Sequence, residues 1–307
     1  MSLLEVKQVS KLYGSFKAVD NVTFKVEKGR IFGLLGPNGA GKTSMIRMIN
    51  HITVPDEGSI SFDGQGVNES TQQRIGYLPE ERGLYKKMKV GEQLMYLIRL
   101  RGLSKEDARK SIKYWLERFE ADTWIGKEVG DLSKGMQQKI QFVAAIAHDP
   151  DLYIFDEPFS GLDPINSETL KRVIIELRDK GKTILFATHR MEQVEQMCDD
   201  ICLFNKGKSI LSGDLRSIKQ KMGRNTINLE FHGDGAFLDE LENVRINNRS
   251  TNFAEIRLLE NTDPQEVLRK ALSNATIMKF ELVQPALNEI FIETVGSDNL
   301  KDTKSIL

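Results

Sequence analysis

In 307 residues there are only two cysteines, Cys198 and Cys202. They stand four positions apart with no second Cys/His pair at metal-ligand spacing, so they read as a reduced, buried pair rather than a metal site. No apolar run approaches the roughly 18 residues that a membrane span needs, and the N-terminus shows no signal-peptide pattern. The expectation is an intracellular protein, recruited by another subunit if it works at a membrane. Charge of either sign is also not in excess: 43 Lys and Arg face 44 Asp and Glu. That balance gives no electrostatic case for nucleic acid as the main partner. What remains is an ordinary globular composition, long enough for one large domain or for a large and a small one.

Against that plain background one stretch stands out. The apolar run Ile31-Phe32-Gly33-Leu34-Leu35 enters Gly36-Pro37-Asn38-Gly39-Ala40-Gly41-Lys42-Thr43-Ser44, followed by the helical pattern Met45–Ile49. Gly36, Gly41, Lys42 and Thr43 fit G-x-x-x-x-G-K-[ST] with a strand before and a helix after, the context the pattern requires. A chance match occurs in about one or two per cent of chains this long, and the strand–helix context lowers that. Glycines let backbone N–H groups turn inward around phosphate oxygens, and the helix N-terminus adds partial positive charge. Lys42 would reach the β- and γ-phosphates of a nucleoside triphosphate, and the Thr43 hydroxyl would ligate Mg²⁺.

Upstream, Leu4–Val9 and Ala18–Val26 alternate like antiparallel strands, with Lys11-Leu12-Tyr13-Gly14 expected as the turn. An aromatic such as Tyr13 can stack on a nucleobase for about 1–3 kcal/mol, although position alone favours a half-buried strand tyrosine. Downstream, Gly58–Gly64 and Ile75–Pro79 read as strands. Val90 to about Gly126 reads as helices with apolar stripes Leu94/Leu97/Ile98 and Ile112/Trp115/Leu116/Phe119. Ser104 with Asp107 forms a cap, and the scattered Lys and Arg form a solvated face. Ser133 caps a further helix running through Ile140, Val143 and Ala147, and an exposed, capped helix end is a second potential phosphate site. Alone it describes any capped helix.

The strand Asp151–Phe155 ends in Asp156-Glu157. At such a strand end one acid can hold Mg²⁺ and the next can orient and deprotonate water, strand alternation pointing them to different sides. A solvated pair of acids is the plain alternative, and the phosphate loop in the same chain weighs against it. After the turn Ser160–Pro164 come helix Ser167–Lys180 and strand Thr183–Ala187, which delivers His189 to the ligand-binding edge of an α/β sheet, where it could sense a γ-phosphate. Cys198–Phe204 and Lys208–Leu211 read as a closing hairpin. From about 223 the character changes. Strand Thr226–Phe231, helix Ala236–Leu241, strands Val244–Asn247 and Phe253–Leu259, helix Pro264–Ser273, strand Ile277–Val283 and a last helix Ala286–Thr294 follow. The order is that of a ferredoxin-like sandwich plus one helix, without a cluster of catalytic residue types. Residues 297–307 read as a loose tail.

Taken together, these residues resemble the nucleotide-binding subunit of an ATP-binding-cassette (ABC) transporter over about Leu3 to Met222. Gly36–Thr43 resembles Walker A, Leu152–Glu157 Walker B with its catalytic glutamate, Leu132–Gln137 the family signature, Ser160–Asp163 the D-loop and His189 the switch histidine. The resemblance puts Tyr13 at the adenine-stacking position. It implies an α/β P-loop NTPase fold with an antiparallel β subdomain and a helical subdomain (1–222). A small α+β ferredoxin-like domain (223–296) and a flexible tail (297–307) complete the chain. It further implies ATP and Mg²⁺ as ligands and Glu157, His189 and Lys42 as the catalytic set, with Ser133 and Gly135 completing the site of a second, identical copy. Membrane permease subunits would be the partners, with the protein on the inner face of the cell membrane and no nucleic acid expected.

Two departures stand out. Lys134 and Met136 replace Gly and Gln of the usual Leu-Ser-Gly-Gly-Gln signature, and Glu80 stands where a Gln usually reaches Mg²⁺ and the permease. A carboxylate still ligates Mg²⁺, so activity is expected to survive. Gly-Tyr-Leu-Pro-Glu-Glu-Arg-Gly-Leu-Tyr with Leu-Ser-Lys-Gly-Met-Gln-Gln-Lys is similar to a bacterial exporter-type subgroup of sodium- or drug-extrusion ATPases. The alternatives are a soluble ATPase switch of the same fold acting on ribosomes or DNA, and a regulatory ATPase whose tail senses a ligand.

Overall fold

In the computed structural model, residues 1–81, 83–221, 225–259, 262–292 and 294–295 are described. The expected module end at Met222–Gly223, position 293 of the last helix and the tail 297–307 lie outside them. Two compact units divide the chain, Met1–Gly213 and Asp214–Leu307.

The first unit opens with β1 (Ser2–Tyr13), β2 (Phe16–Glu27), β3 (Ile31–Leu35) and α1 (Lys42–Ile49). Then come β4 (Glu57–Phe62), β5 (Gln65–Gly66), β6 (Ile75–Leu78), α2 (Val90–Leu100), α3 (Lys105–Arg118) and α4 (Lys134–Ile146). It closes with β7 (Leu152–Asp156), α5 (Pro164–Asp179), β8 (Thr183–Thr188), α6 (Met191–Met197), β9 (Asp200–Asn205) and β10 (Lys208–Asp214). One sheet, ordered β2-β1-β4-β5, is antiparallel. The other, ordered β10-β9-β3-β8-β7-β6, is parallel from β9 to β6.

The sequence dictates the difference between the sheets. β3, β7 and β8 are apolar at nearly every position and buried throughout, as strands covered on both faces must be. β2 alternates, burying Val22, Phe24 and Val26 and exposing the residues between. Phe24 stacks on Phe32 of β3 with ring centroids 5.1 Å apart, and α1 buries Met45, Ile46 and Ile49 in the same core. On the other side α2, α3 and α4 pack together. A run of rings, Trp115–Phe119–Phe142–Phe155 with successive centroids 6.2, 5.8 and 5.0 Å apart, ties this helical layer to β7.

The parallel topology places the ligand-binding edge before any side chain is considered. β3, β8, β7 and β6 are neighbours pointing the same way, so the segments leaving their C-terminal ends converge on one edge. Those segments are Gly36–Gly41, Thr188-His189, Asp156-Glu157 and Pro79-Glu80.

Several local expectations are corrected. β1 runs through Tyr13, which pairs with Phe16, so the turn is Gly14-Ser15 rather than Lys11–Gly14. Cross-strand pairing carries the strand past its last buried position. α5 begins at Pro164, three residues earlier than expected, because the Asp163 carboxylate accepts the Asn166 N–H at 3.0 Å and Pro is suited to the first helical position. Between β8 and β9 lies the unanticipated α6, of which Cys198 is the C-cap, so β9 starts only at Asp200. The expected caps Ser104 and Ser133 are present. Both cysteines are free and buried.

The second unit contains α7 (Leu215–Lys221), β11 (Thr226–His232), β12 (Val244–Ser250), β13 (Phe253–Leu258), α8 (Pro264–Asn274) and β14 (Thr276–Val283), followed by a last helix over 287–292. Its sheet order, β12-β13-β11-β14, with antiparallel pairs throughout, is the ferredoxin-like arrangement. The expected helix Ala236–Leu241 is instead a 3₁₀ segment, Gly235–Glu240, started by the Asp234 carboxylate. Phe231, Phe237, Ile256, Val267 and Ala271 fill a core between the sheet and these helices.

Candidate functional site

At the C-terminal edge of the parallel sheet, a cavity of about 410 Å³ is lined by Tyr13, Phe16, Ala18, Asn38–Ser44, Glu80, Asp156 and Glu157. The loop that forms its floor depends on glycine twice over. Gly36 (φ 148°) and Gly41 (φ 106°) hold backbone that L side chains avoid. A Cβ there would also lie 2.2 Å from the Phe204 carbonyl and 2.3 Å from the Ala18 carbonyl. The loop is pinned from below, Gly207 N–H donating to the Ala40 carbonyl at 3.0 Å and Ala40 N–H to the Pro37 carbonyl at 3.2 Å. α1 then starts at Lys42 with no side-chain cap, which leaves its first N–H groups without intrahelical acceptors. The Lys42 ammonium folds back across the loop, donating to the Gly36 and Pro37 carbonyls at 2.7 and 3.1 Å. An uncapped helix end, inward-turning backbone and a buried ammonium are together suited to a polyphosphate.

The facing wall is acidic. Asp156, 2 % exposed, accepts a hydrogen bond from the Thr43 hydroxyl at 3.4 Å. Burial, and then the nearby carboxylates of Glu80 and Glu157, push its pKa up to about 6. Burial pushes Lys42 down, while Glu157, Asp156 and Glu80 act to hold its proton. Three carboxylates against one ammonium leave surplus negative charge. The oxygens of Thr43, Asp156 and Glu80 are the donor type that a hard divalent cation takes, so the residues present fit Mg²⁺. Among the described residues no cluster of three His, Cys, Asp or Glu could hold a metal by itself.

Asp156 and Glu157 are separated differently from the expectation. Strand alternation does not do it, because β7 ends at Asp156 and Glu157 turns out of the strand at φ 48°. Its N–H donates to the Ala187 carbonyl at 2.9 Å, and its carboxylate reaches the segment after β8. There Glu157 Oε1 accepts His189 N–H at 2.8 Å and lies 2.6 Å from His189 Nδ1. Oε2 accepts the Thr188 hydroxyl at 3.0 Å.

Tyr13, the whole loop Gly36–Ser44, Glu80, Asp156, Glu157 and His189 thus meet on one edge. Ser133 and Gly135 do not line this cavity. They start α4, where the Ser133 hydroxyl accepts Met136 N–H at 3.2 Å. Phe16 is a lining residue that sequence reasoning passed over. It is 63 % exposed and directly opposite Tyr13 across the hairpin, and an aromatic in a polar strand position was its signal.

A second, polar groove of about 370 Å³ opens beside the loop after β6, lined by Tyr77, Pro79, Leu84, Leu97, Arg101, Gln141 and His148 among others. Gln141 Nε2 donates to the Pro79 and Glu81 carbonyls at 3.3 and 3.1 Å, and Gln138 Nε2 to the Pro158 carbonyl at 3.0 Å. α4 is thereby fastened to the loops after both β6 and β7. His148 is buried with neither ring nitrogen in hydrogen-bonding geometry, and burial pushes its pKa down to about 4.

Comparison with known proteins follows the same division. Residues 19–160 match the family described as ABC transporter, and residues 213–295 match the ATP-binding protein DrrA1-3-like, C-terminal domain. The uncharacterized ABC transporter ATP-binding protein YhaQ of Bacillus subtilis is 44% identical over 295 residues, covering 96% of this chain and 99% of that protein. Nod factor export ATP-binding protein I of Burkholderia pseudomallei is 33% identical over 302 residues, covering 97% and 98%. A solved structure described as the ATP binding subunit of an ABC transporter aligns with TM-score 0.68 at 33% identity over 72% of this chain and 94% of its own. With near full-length relatives on one side and the phosphate loop, acids and sheet edge on the other, the chain belongs to the ATP-hydrolysing, ATP-binding subunits of ABC transporters.

Proposed function

We propose that two copies of this chain close head to tail around two ATP molecules, and that closure and hydrolytic reopening drive a separate membrane permease in the direction of export. The observation that carries this reading is the split of the predicted site. One chain gathers the phosphate loop, acids and histidine on one sheet edge, while Ser133 and Gly135 stand at an exposed helix end outside that cavity. A second copy would bring them to the γ-phosphate. Export is supported by the name of the Burkholderia relative, a Nod factor export protein.

Within each half-site, Tyr13 stacks on adenine, the loop Gly36–Ser44 and Lys42 hold the phosphates, and Glu157 accepts a proton from the attacking water. His189 senses and positions the γ-phosphate. Thr43, Asp156 and Glu80 would hold Mg²⁺, which supplies charge neutralisation at the phosphate oxygens. The loop 80–88 and the helices after it form the permease contact, and the polar groove with Arg101 and His148 lies there. The functional division follows the sequence, an ATP-binding domain over 1–222 and an accessory domain over 223–296.

Glu157→Gln with ATP should give a dimer in size-exclusion chromatography, and a chain that stays monomeric refutes the sandwich. Purification from membranes should bring an integral-membrane subunit with it, and recovery of ribosomes or DNA instead would overturn the transport reading.

A further inference from the structure

β7 and β8 lie side by side in parallel register, with Asp156 opposite Ala187. The next residues along, Glu157 and Thr188, therefore emerge next to each other at the sheet edge. Thr188 is fully buried, and its hydroxyl has both functions assigned. Its oxygen accepts Arg190 N–H at 3.1 Å, and its single proton goes to Glu157 Oε2 at 3.0 Å. The incoming N–H takes a lone pair and directs the hydroxyl proton at the carboxylate. The other oxygen, Oε1, accepts His189 N–H at 2.8 Å and lies 2.6 Å from His189 Nδ1.

We infer that Thr188 is a positioning residue for the general base: its hydroxyl on Oε2, together with the His189 N–H on Oε1, fixes the Glu157 carboxylate that takes the proton of the attacking water. The inference rests on the reading of Glu157 as base. Glu157 lies just past the end of β7 at φ 48°, its backbone held by its N–H on the Ala187 carbonyl and by Ser160 N–H on its own carbonyl, and its carboxylate held by Thr188 and His189. A threonine that merely satisfied its own hydroxyl would not influence the proton transfer.

The test measures ATP turnover of the purified full chain against ATP concentration for Thr188→Val, Thr188→Ser, Glu157→Gln and the Val/Gln double variant. Thr188→Val is nearly isosteric and removes only the hydroxyl. From the usual strength of a hydrogen bond to a charged group, it should lower kcat about ten- to hundredfold while KM for ATP stays within about twofold. Thr188→Ser should restore kcat, and the double variant should be no slower than Glu157→Gln. Wild-type turnover in Thr188→Val, with Glu157→Gln inactive, overturns the inference while leaving Glu157 as base. So does a serine variant as slow as the valine one. Full turnover in Glu157→Gln overturns the base assignment itself. If Thr188→Val does not fold, Thr188→Ala carries the same comparison.

Discussion

Asp156→Asn should make the nucleotide-free protein more stable, and increasingly so as pH rises. The carboxyl is nearly sealed from solvent beside Glu80 and Glu157, which raises its pKa from 3.8 to about 6. A group whose folded pKa is raised binds its proton more tightly in the folded chain. Stability is therefore lost as pH climbs through the interval between the two values, and the loss is complete above the higher one. At about 1.4 kcal/mol per pH unit, the full cost at pH 8 is ~3 kcal/mol. About half has accrued by pH 5, so the advantage of Asn over Asp should grow by ~1.5 kcal/mol between pH 5 and pH 8. Urea unfolding of both proteins without nucleotide at the two pH values measures the difference. With Asp156 ligating Mg²⁺ as proposed, the order should reverse when ATP and Mg²⁺ are added, because a carboxylate holds the cation more strongly than a neutral amide. An advantage that is constant or shrinks from pH 5 to pH 8 would refute the surplus of negative charge assigned to this wall.

Other substitutions probe the remaining parts of the site. Lys42→Ala should weaken ATP binding as well as turnover, read by nucleotide titration and phosphate release. Tyr13→Ala should cost ATP affinity by about 1–3 kcal/mol, whereas Tyr13→Phe should leave it unchanged; equal affinities in all three chains would remove Tyr13 from the adenine. Glu80→Gln should alter the Mg²⁺ concentration needed for half-maximal ATPase, and an unchanged rate and metal dependence would take Glu80 out of the metal shell. Gly41→Ala places a Cβ 2.3 Å from the Ala18 carbonyl at φ 106°, so ATP binding should be abolished in equilibrium dialysis.

The parts that could be read from the chain are those whose chemistry is local. A Gly-rich turn between an apolar strand and a helix announces itself, as do Ser104 and Ser133 before amphipathic runs. The ferredoxin-like unit was legible from its order of elements, although Gly235–Glu240 closes into a 3₁₀ segment too short to show a helical period. α6 escaped for a related reason: seven residues, Met191–Met197, with only Val194 and Met197 buried. Asp163-Pro164 is a readable start signal for α5, a cap followed by the favoured first residue, but Ser160-Gly161 just before it make the stretch read as one turn. The hold of Thr188 and His189 on Glu157 was not legible at all. It spans some 31 residues and exists only because β7 and β8 are neighbours in register.

α4 has a mechanical consequence of its own. Its 13 residues make a rod about 20 Å long. Ser133 stands at one end, Gln138 grips the loop after the acids, Phe142 stacks on Phe155 just before them, and Gln141 grips the loop beside the polar groove. A stiff body fastened at several stations cannot shift at one without shifting at the others, since close-packed interiors yield little. In the proposed dimer, a push at the groove, a change in the spacing of Asp156 and Glu157, and the aim of Ser133 toward the second copy are then one displacement with three readouts, with no relay of successive signals needed.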